Sequence, residues 1–503
     1  MCGILCTWGP DQAEWARHAL ECLAHRGPDD CNLRQLDGIT LGFARLAIND
    51  RDPRSMQPHE AGGLFGVFNG EVYNHLSLRE TFDINEPARS DTAVILHLFP
   101  QVRAKLTDHL DGFFAGVIYD SRAQKLYTIR DALGKKPLFL VRGGASFMLT
   151  SELKAAPHVD EYQIVPLGLC EISLATGGIT TLTAPRAATQ LTPPHDLVEV
   201  MRRAVDKRTS CSDLDKFAVF LSGGLDSSII AALVEAGPRK AGAHYYHLDG
   251  PECEDAQYAQ EVLAFLNVPR SRIRSVKIPD ASQMGELITD VVKFTESYNP
   301  SIISNGVGTY VLARAASDAG HKVALGGDGA DEVFCGYFDP PKFGPDTEWR
   351  ASRERLLADL HRTELRRIDG AAMAHGIEVR CPFLDQDLRD LAEGLTFEDF
   401  YGDTDNPTPK SVLRRAFRAM LPETIIQRRK KPLDRGTGLQ RLVVNYCTRA
   451  GCTELNTLGA IWRAHFAQTL GAFADDPYFH SYPAFDEFIG KRGERYSSAP
   501  TSL

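Results

Sequence analysis

The pattern of apolar residues changes once along this chain, near residue 185, and that change constrains the fold more than any other feature. Before it, short apolar runs recur about every ten residues, as in GILCTW, LGFARLAI, GLFGVFNG, FFAGVIYD, KLYTIRD, PLFLV and SFMLTSE, broken by Gly, Asp and Pro. That spacing predicts stacked antiparallel sheets, an α+β domain of αββα type over 1–185. Residues 184–195, APRAATQLTPPH, are rich in Ala, Thr and Pro and read as a linker. After the linker, short buried-strand runs at Phe217–Leu221, His244–Leu248 and Lys322–Leu325 alternate with turns and helical stretches. Strand–loop–helix repetition predicts an α/β domain over 196–503, a parallel sheet with helices on both faces. A chain of 503 residues is also too long for one ordinary core, in keeping with two domains. The tail from about Arg492 is polar and reads as loose.

Composition excludes several classes. Lys and Arg number 56 against 66 Asp and Glu, a formal charge of −10 with no long basic run. A primary role in gripping nucleic acid is therefore not expected. No apolar stretch reaches the ~18 residues of a membrane span, and the N-terminus lacks a secretory pattern. The 11 cysteines form no CxxC pair, which points to free thiols in a reducing, cytoplasmic compartment.

Two turns in the second half carry chemistry. Ser222-Gly223-Gly224-Leu225-Asp226-Ser227-Ser228 lies between a strand and a helix. Glycines let backbone N–H groups curl into an anion nest, the serines add hydroxyl donors, and the helix turns its positive end to the same point. Pyrophosphate suits such a loop, and Asp226 suits it only as a Mg²⁺ ligand. The GK[ST] of the Walker pattern is missing, so a P-loop kinase is disfavoured. The second turn, Gly326 to Glu332, follows a strand and offers Asp331 as a second Mg²⁺ ligand at the end of the sheet where ligands bind. The basic run Arg428-Arg429-Lys430-Lys431 can clamp a leaving group.

In the first half, Cys2 follows the initiator Met. Removing Met1 would leave its α-amine beside its own thiol, a base beside a nucleophile. Asn69 and Gly70 offer an amide NH₂ and a backbone N–H for an oxyanion hole. Arg45 can pair an α-carboxylate, and Asp91 an α-ammonium.

Taken together, MCGI, HRGPDD (25–30), LGFARLAI (41–48), FNGEVYN (68–74), RSDT (89–92), RDALGKKPLF (130–139) and SELKA (151–155) resemble the N-terminal-nucleophile glutaminase domain of class B, glutamine-dependent asparagine synthetases. FLSGGLDSS (220–228), GGDGADEVFCGY (326–337) and MAHGIEVRCPFLD (373–385) resemble the ATP-pyrophosphatase domain of the same family. The resemblance implies that Cys2 attacks glutamine, that Asn69 and Gly70 form the oxyanion hole, and that Arg45, Asn69, Gly70, Glu71 and Asp91 hold the substrate. It implies an ammonia tunnel to a second site. There a carboxylate attacks ATP, giving an acyl-adenylate and pyrophosphate, and ammonia displaces AMP. Phe220, Ser222, Gly223, Gly224, Asp226, Ser227, Ser228, Leu248, Gly327, Asp328 and Lys430 would bind the nucleotide, and Asp226 and Asp331 the Mg²⁺. The implied partners are glutamine, ATP and a small carboxylic acid, aspartate by default; a homodimer is an assembly the resemblance allows.

The sequence also departs from the family pattern. Gly326, Asp328 and Cys335 replace Ser, Glu and Gly, and Gly370 with its alanines replaces a more polar run; Glu296–Tyr310 is unusual as well. The resemblance places the family's serine and glutamate close to the acyl-adenylate, so these changes put aspartate as the acceptor in question. They keep open an amidotransferase for another small acid, in secondary metabolism, and more remotely a β-lactam synthetase-like cyclase. A non-catalytic binding protein is a third reading, disfavoured by the intact motifs. Glu364 is a weak candidate for the synthetase base; a helix-surface acid is its plainer role.

Overall fold

The computed structural model describes residues 2–85, 90–186, 196–210, 213–337, 348–402, 407–449 and 451–482. Most of the linker, 187–195, and the polar tail lie outside the described residues.

The first half contains two six-stranded antiparallel sheets. One is built from β1 (Gly3–Trp8), β2 (Asp30–Leu36), β3 (Ile39–Arg45), β8 (Phe139–Gly143), β9 (Ser146–Thr150) and β10 (Glu161–Ile164), in the order β10-β8-β9-β1-β3-β2. The other uses β4 (His59–Ala61), β5 (Leu64–Val72), β6 (Gly112–Asp120), β7 (Lys125–Arg130), β11 (Gly168–Ile172) and β12 (Ile179–Thr183), in the order β12-β11-β7-β6-β5-β4. The seven apolar runs read from the sequence are all strands. Of the five strands missed, β2, β4, β10 and β12 are the edges of the two sheets and β11 lies next to an edge; β12 reads ITTLT.

Period-two alternation explains why these runs look uniformly apolar: both faces are covered. On β5, Phe65 and Val67 fill the layer between the sheets, while Leu64 and Phe68 pack under helix α2 (Val94–Val102). On β6, Ala115 and Val117 face the inter-sheet layer, and Phe114 and Ile118 the helix side. Helix α1 (Gln12–Cys22) covers the outer face of the first sheet through Trp15, Ala16 and Ala19. The result is the four-layer αββα arrangement.

The second half has a five-stranded parallel sheet, β15-β14-β13-β16-β17, formed by β13 (Phe217–Phe220), β14 (Ala243–Asp249), β15 (Ile273–Lys277), β16 (Val323–Leu325) and β17 (Glu378–Arg380). β13 is the central strand and the point where the chain order reverses, the place where open α/β sheets bind ligands. Helices α3 (Leu197–Ser210), α4 (Leu225–Ala236), α5 (Glu254–Phe265), α6 (Met284–Thr295), α7 (Pro300–Asp318) and α8 (Glu364–Met373) surround it. Helix α4 is buried nearly throughout, so its amphipathic signal is weak and only the flanking SGG and GP signals bound it. Gly370 lets α8 lie against α6: a Cβ there would come within 2.6 Å of the Phe294 carbonyl.

The two halves are joined by buried charges. Arg26 of the first half donates to Asp369 of α8 at 2.7 Å, and Lys136 meets the other oxygen of the same carboxylate at 2.9 Å. Burial alone would raise the Asp369 carboxyl, but these two cations hold it below the usual range. From β17, Arg380 reaches Glu71 at 3.1 Å, while its carbonyl accepts the Gly326 N–H at 2.9 Å.

Candidate active sites

The first site forms where β1, β3 and β5 converge. The Cys2 backbone N–H donates to Asn69 Oδ1 at 3.0 Å. Its Sγ lies 3.5 Å from the Leu46 N–H, just past β3. Asn69 is fully buried, and its Nδ2 has no hydrogen-bond partner among the described residues. An orphaned buried amide is costly to keep, so a donor left open beside a thiol is a place prepared for an oxygen. Gly70 stands next to it at φ +137°, where a Cβ would sit 2.0 Å from the Phe113 carbonyl, so only glycine fits. Burial pushes the Cys2 thiol up, and its contact with the Leu46 backbone opposes this.

The substrate-binding candidates lie around this centre. Asp91 is buried and accepts from the Val72 N–H at 2.7 Å. Burial raises its carboxyl; the Val72 bond works the other way. Arg45 ends β3 and is tied to the carbonyls of Asp50 at 2.5 Å and Asp52 at 3.4 Å. Glu71 is placed differently from the rest: its carboxylate is held by Asn49 and by Arg380 of the second half. It therefore links the site to the neighbouring domain as well as bordering it.

The second site gathers the two turns. At the first, Gly223 takes φ +69°, and a Cβ there would meet the Ala259 N at 2.4 Å. The Ser222 and Ser227 hydroxyls lie 3.1 Å apart, and the Gly224 N–H donates to Ser222 Oγ at 3.3 Å. Ser228 Oγ is buried and unpartnered among the described residues. Helix α4 starts at Leu225, its open N–H groups facing the loop. Gly327 brings the second turn against the first, since a Cβ there would lie 3.0 Å from the Ser227 N. Phe220, Leu248, Asp328 and Lys430 line the same cavity, of about 210 Å³, as the two turns.

Its floor is a charge cluster. Lys410 Nζ lies 2.7 Å from both oxygens of Asp226 and 2.6 Å from Asp331 Oδ1. Lys430 pairs with Asp331 Oδ2 and stands 3.7 Å from Asp226. Burial would raise the Asp331 carboxyl, yet the two lysines bring it to about 2. Two carboxylates converging on one cation suit Mg²⁺, which takes one or two protein carboxylates and completes its shell with phosphate oxygens and water. No group of three or more metal-ligating side chains occurs among the described residues.

Lys410 was not legible in the sequence: a single lysine in TPKS has no spacing signal. Arg428, in the basic run, donates to the Ser222 carbonyl at 3.3 Å and pairs with Asp255 of α5. It braces the loop from beneath. On the far wall, Arg367 of α8 binds Asp328 at 2.6 Å, Glu364 at 2.7 Å and the Thr309 hydroxyl at 2.7 Å. Glu364 is thus a partner of Arg367 at the cavity edge. The buried Glu332 is raised to about 8 by burial and then by Asp331 and Glu364, and it accepts from the Tyr337 hydroxyl at 2.8 Å.

Comparison with known proteins places both halves. The glutamine amidotransferase domain family matches residues 1–170, and the asparagine synthase family matches 196–363 and 338–470. An asparagine synthetase [glutamine-hydrolyzing] of Asparagus officinalis is 32% identical over 87% of this chain and 78% of its own. A second from Arabidopsis thaliana is 30% identical over 87% and 79%. A probable one from Acanthamoeba polyphaga mimivirus is 30% identical over 86% and 84%. The chain belongs to the asparagine synthase family, as a glutamine-dependent ligase with its amidotransferase domain in front.

Proposed function

We propose that this enzyme converts a small carboxylic acid to its amide through an acyl-adenylate, using glutamine nitrogen and ATP, with aspartate as the default acceptor. The observation that carries the reading is the Cys2–Asn69 pair: one amide oxygen holds the nucleophile's own nitrogen, and the amide NH₂ beside it is open.

With Met1 removed, the Cys2 amine takes the thiol proton through water, and Sγ attacks the glutamine side-chain carbonyl. Negative charge develops on the carbonyl oxygen and is met by Asn69 Nδ2 and the Gly70 N–H. Asp91 and Arg45 hold the amino-acid end of glutamine. Ammonia leaves as the thioester forms, and water then releases glutamate. The seam between the domains, spanned by Arg380, is the route this reading gives ammonia to the second site. Confinement there keeps ammonia unprotonated.

At the second site the loop N–H groups and serine hydroxyls receive the β- and γ-phosphates. Asp226 and Asp331 would hold Mg²⁺, which when bound would supply charge neutralisation for the leaving pyrophosphate. Lys410 and Lys430 then turn from the carboxylates toward phosphate oxygens. Phe220 and Leu248, at the ends of β13 and β14, border the adenine position. The acceptor carboxylate attacks the α-phosphorus, and pyrophosphate leaves. Ammonia attacks the acyl carbon, and AMP leaves.

One observation favours an acceptor other than aspartate. Arg367 is occupied by Asp328, Glu364 and Thr309, and a Cβ on Gly326 would lie 2.8 Å from Asp328 Oδ2. The Gly326–Asp328 pair is therefore a fitted unit on the acceptor wall, not two separate changes. A screen of small acids with glutamine, ATP and Mg²⁺, reading AMP release and product mass, decides between the acceptors. Asparagine at ordinary turnover establishes the default; AMP release only with another acid establishes the specialised enzyme. No AMP release with any acid, while glutamine is hydrolysed, contradicts the ligase reading.

All ten described cysteines are free thiols, which supports a reducing compartment. Among the described residues no helix is long and apolar enough to cross a membrane.

A further inference from the structure

A second cavity, of about 230 Å³, lies on the domain seam and shares no lining residue with the nucleotide-site cavity. One wall is the start of β6 and the turn after β7; the other is the segment from Cys381 to Arg389 with Arg208 of α3. Its cations are poorly matched. Lys135 is buried, with its ammonium 4.1 Å from the Phe113 ring centre, and no ion-pair partner is found for it among the described residues. Burial, the largest influence on Lys135, pushes it down to about 8. Arg389 is bonded to Gln386, but its Nε is buried without a partner. Arg208 pairs with Asp385 through Nη1 at 2.7 Å, and its Nε is likewise an orphan. Thr107 Oγ1, on the same lining, is a third unpartnered buried atom.

None of the four lining acids makes an ion pair with these cations among the described residues, and Asp108 is exposed. Asp111 is taken by Lys207 at 2.8 Å. Asp131 accepts the backbone N–H groups of Phe114, Leu133 and Lys135. Asp387 faces Lys207 at 3.7 Å and Arg203 at 3.9 Å. A buried lysine without counter-charge is expensive, and guanidinium N–H groups left open in a cavity match oxyanions.

We propose that this seam cavity binds a small, multiply charged oxyanion, with Lys135, Arg389 and Arg208 as its donors. Its position gives such a ligand a route to both centres. Phe113 and Phe114 pair with Glu71 and Gly70 across β5 and β6. Cys381 directly follows β17, whose Arg380 carbonyl holds the Gly326 N–H. Phosphates and polycarboxylates share this chemistry, and the probes separate them.

The test uses inorganic phosphate and citrate, each titrated by calorimetry into the full-length enzyme. Because phosphate also suits the nucleotide loop, the reference is the Lys430→Met variant, which weakens that loop and leaves the seam intact. One saturable site is expected there, with Kd below about 10 mM for the preferred anion. Adding Lys135→Met is expected to weaken that site at least ~10-fold, and Arg389→Gln to weaken it as well. The anion should also raise the melting temperature of the Lys430→Met enzyme and not that of the double variant. Equal binding with and without Lys135 overturns the proposal. So does the absence of saturable binding of either anion below ~10 mM in folded enzyme. A rise in melting temperature on Lys135→Met, with anion binding unchanged, would make the lysine a plain structural cost and refute it too.

Discussion

The two reaction centres of this chain are prepared in opposite ways. The Cys2 site is assembled from strands, and its central donor is a neutral amide fixed before substrate arrives. The Asp226–Asp331 site is a knot of exchangeable charges, two carboxylates closed on two lysines. On the proposed reading, the first centre would stabilise a small developing charge with rigid dipoles. The second would admit ATP with a metal, hold a large negative charge and release it again. Rigid geometry suits the first task and replaceable ion pairs suit the second.

That contrast can be broken at several points. Asp226→Asn removes one carboxylate of the metal pair and should lower pyrophosphate release by ~10³-fold or more, with glutaminase turnover kept within a few-fold. Pyrophosphate assay and glutamate formation, run in parallel, check it; loss of both in folded protein would mean the centres are not separate. Asn69→Ala should lower glutaminase kcat by ~10²–10³-fold, the usual cost of one oxyanion donor, and leave ammonia-dependent synthesis intact. Gly70→Ala should act in the same direction and also destabilise, since its φ and the Phe113 carbonyl both exclude a side chain.

Lys410→Met sharpens the comparison through stability. Without ligand, Asp226 and Asp331 lose their shared cation, and unfolding should be easier by ~3 kcal/mol, the scale for breaking a buried pair. Added Mg²⁺–ATP should recover part of this, measured as the shift in denaturation midpoint with and without nucleotide. A midpoint equal to that of the parent enzyme would show that the knot is not held by Lys410.

The smallest effect concerns pH. His321, His361 and His375, all in the second half, are lowered by burial to about 4, 3 and 4. Their unfolded values lie near 6.5, so between about pH 6.5 and 4 the unfolded state binds more protons and stability falls with acidification. Carboxyls raised by burial, Glu332 in the same half and Glu71 and Asp91 in the first, work the other way. His361→Asn should therefore reduce the fall in denaturation midpoint between pH 7 and pH 5. An unchanged fall would contradict this.

The sequence disclosed these regions unevenly. Glycine turns and buried strands were readable because each leaves a local mark: Gly223 demands positive φ, and GILCTW is apolar on both faces. Long-range partners were not. Lys410 reaches Asp226 across 184 positions, and nothing in TPKS announces it. Glu71 reads as a glutamine ligand from FNGEVYN, but its tie to Arg380 exists only once the domains meet. Arg367 is one of three arginines in HRTELRR, and only packing of α8 against α7 selects it for the cavity wall. The pairing of Gly326 with Asp328 is likewise a contact, visible in sequence only as two departures.

The central claim is that one chain runs two separable reactions joined by ammonia. The most direct measurement is AMP release by Cys2→Ala with its acceptor, supplied in turn with glutamine and with ammonium. The account expects no glutamine-driven AMP release beyond background and near-normal release with ammonium. Unchanged release with glutamine, or failure with ammonium in folded enzyme, would contradict it.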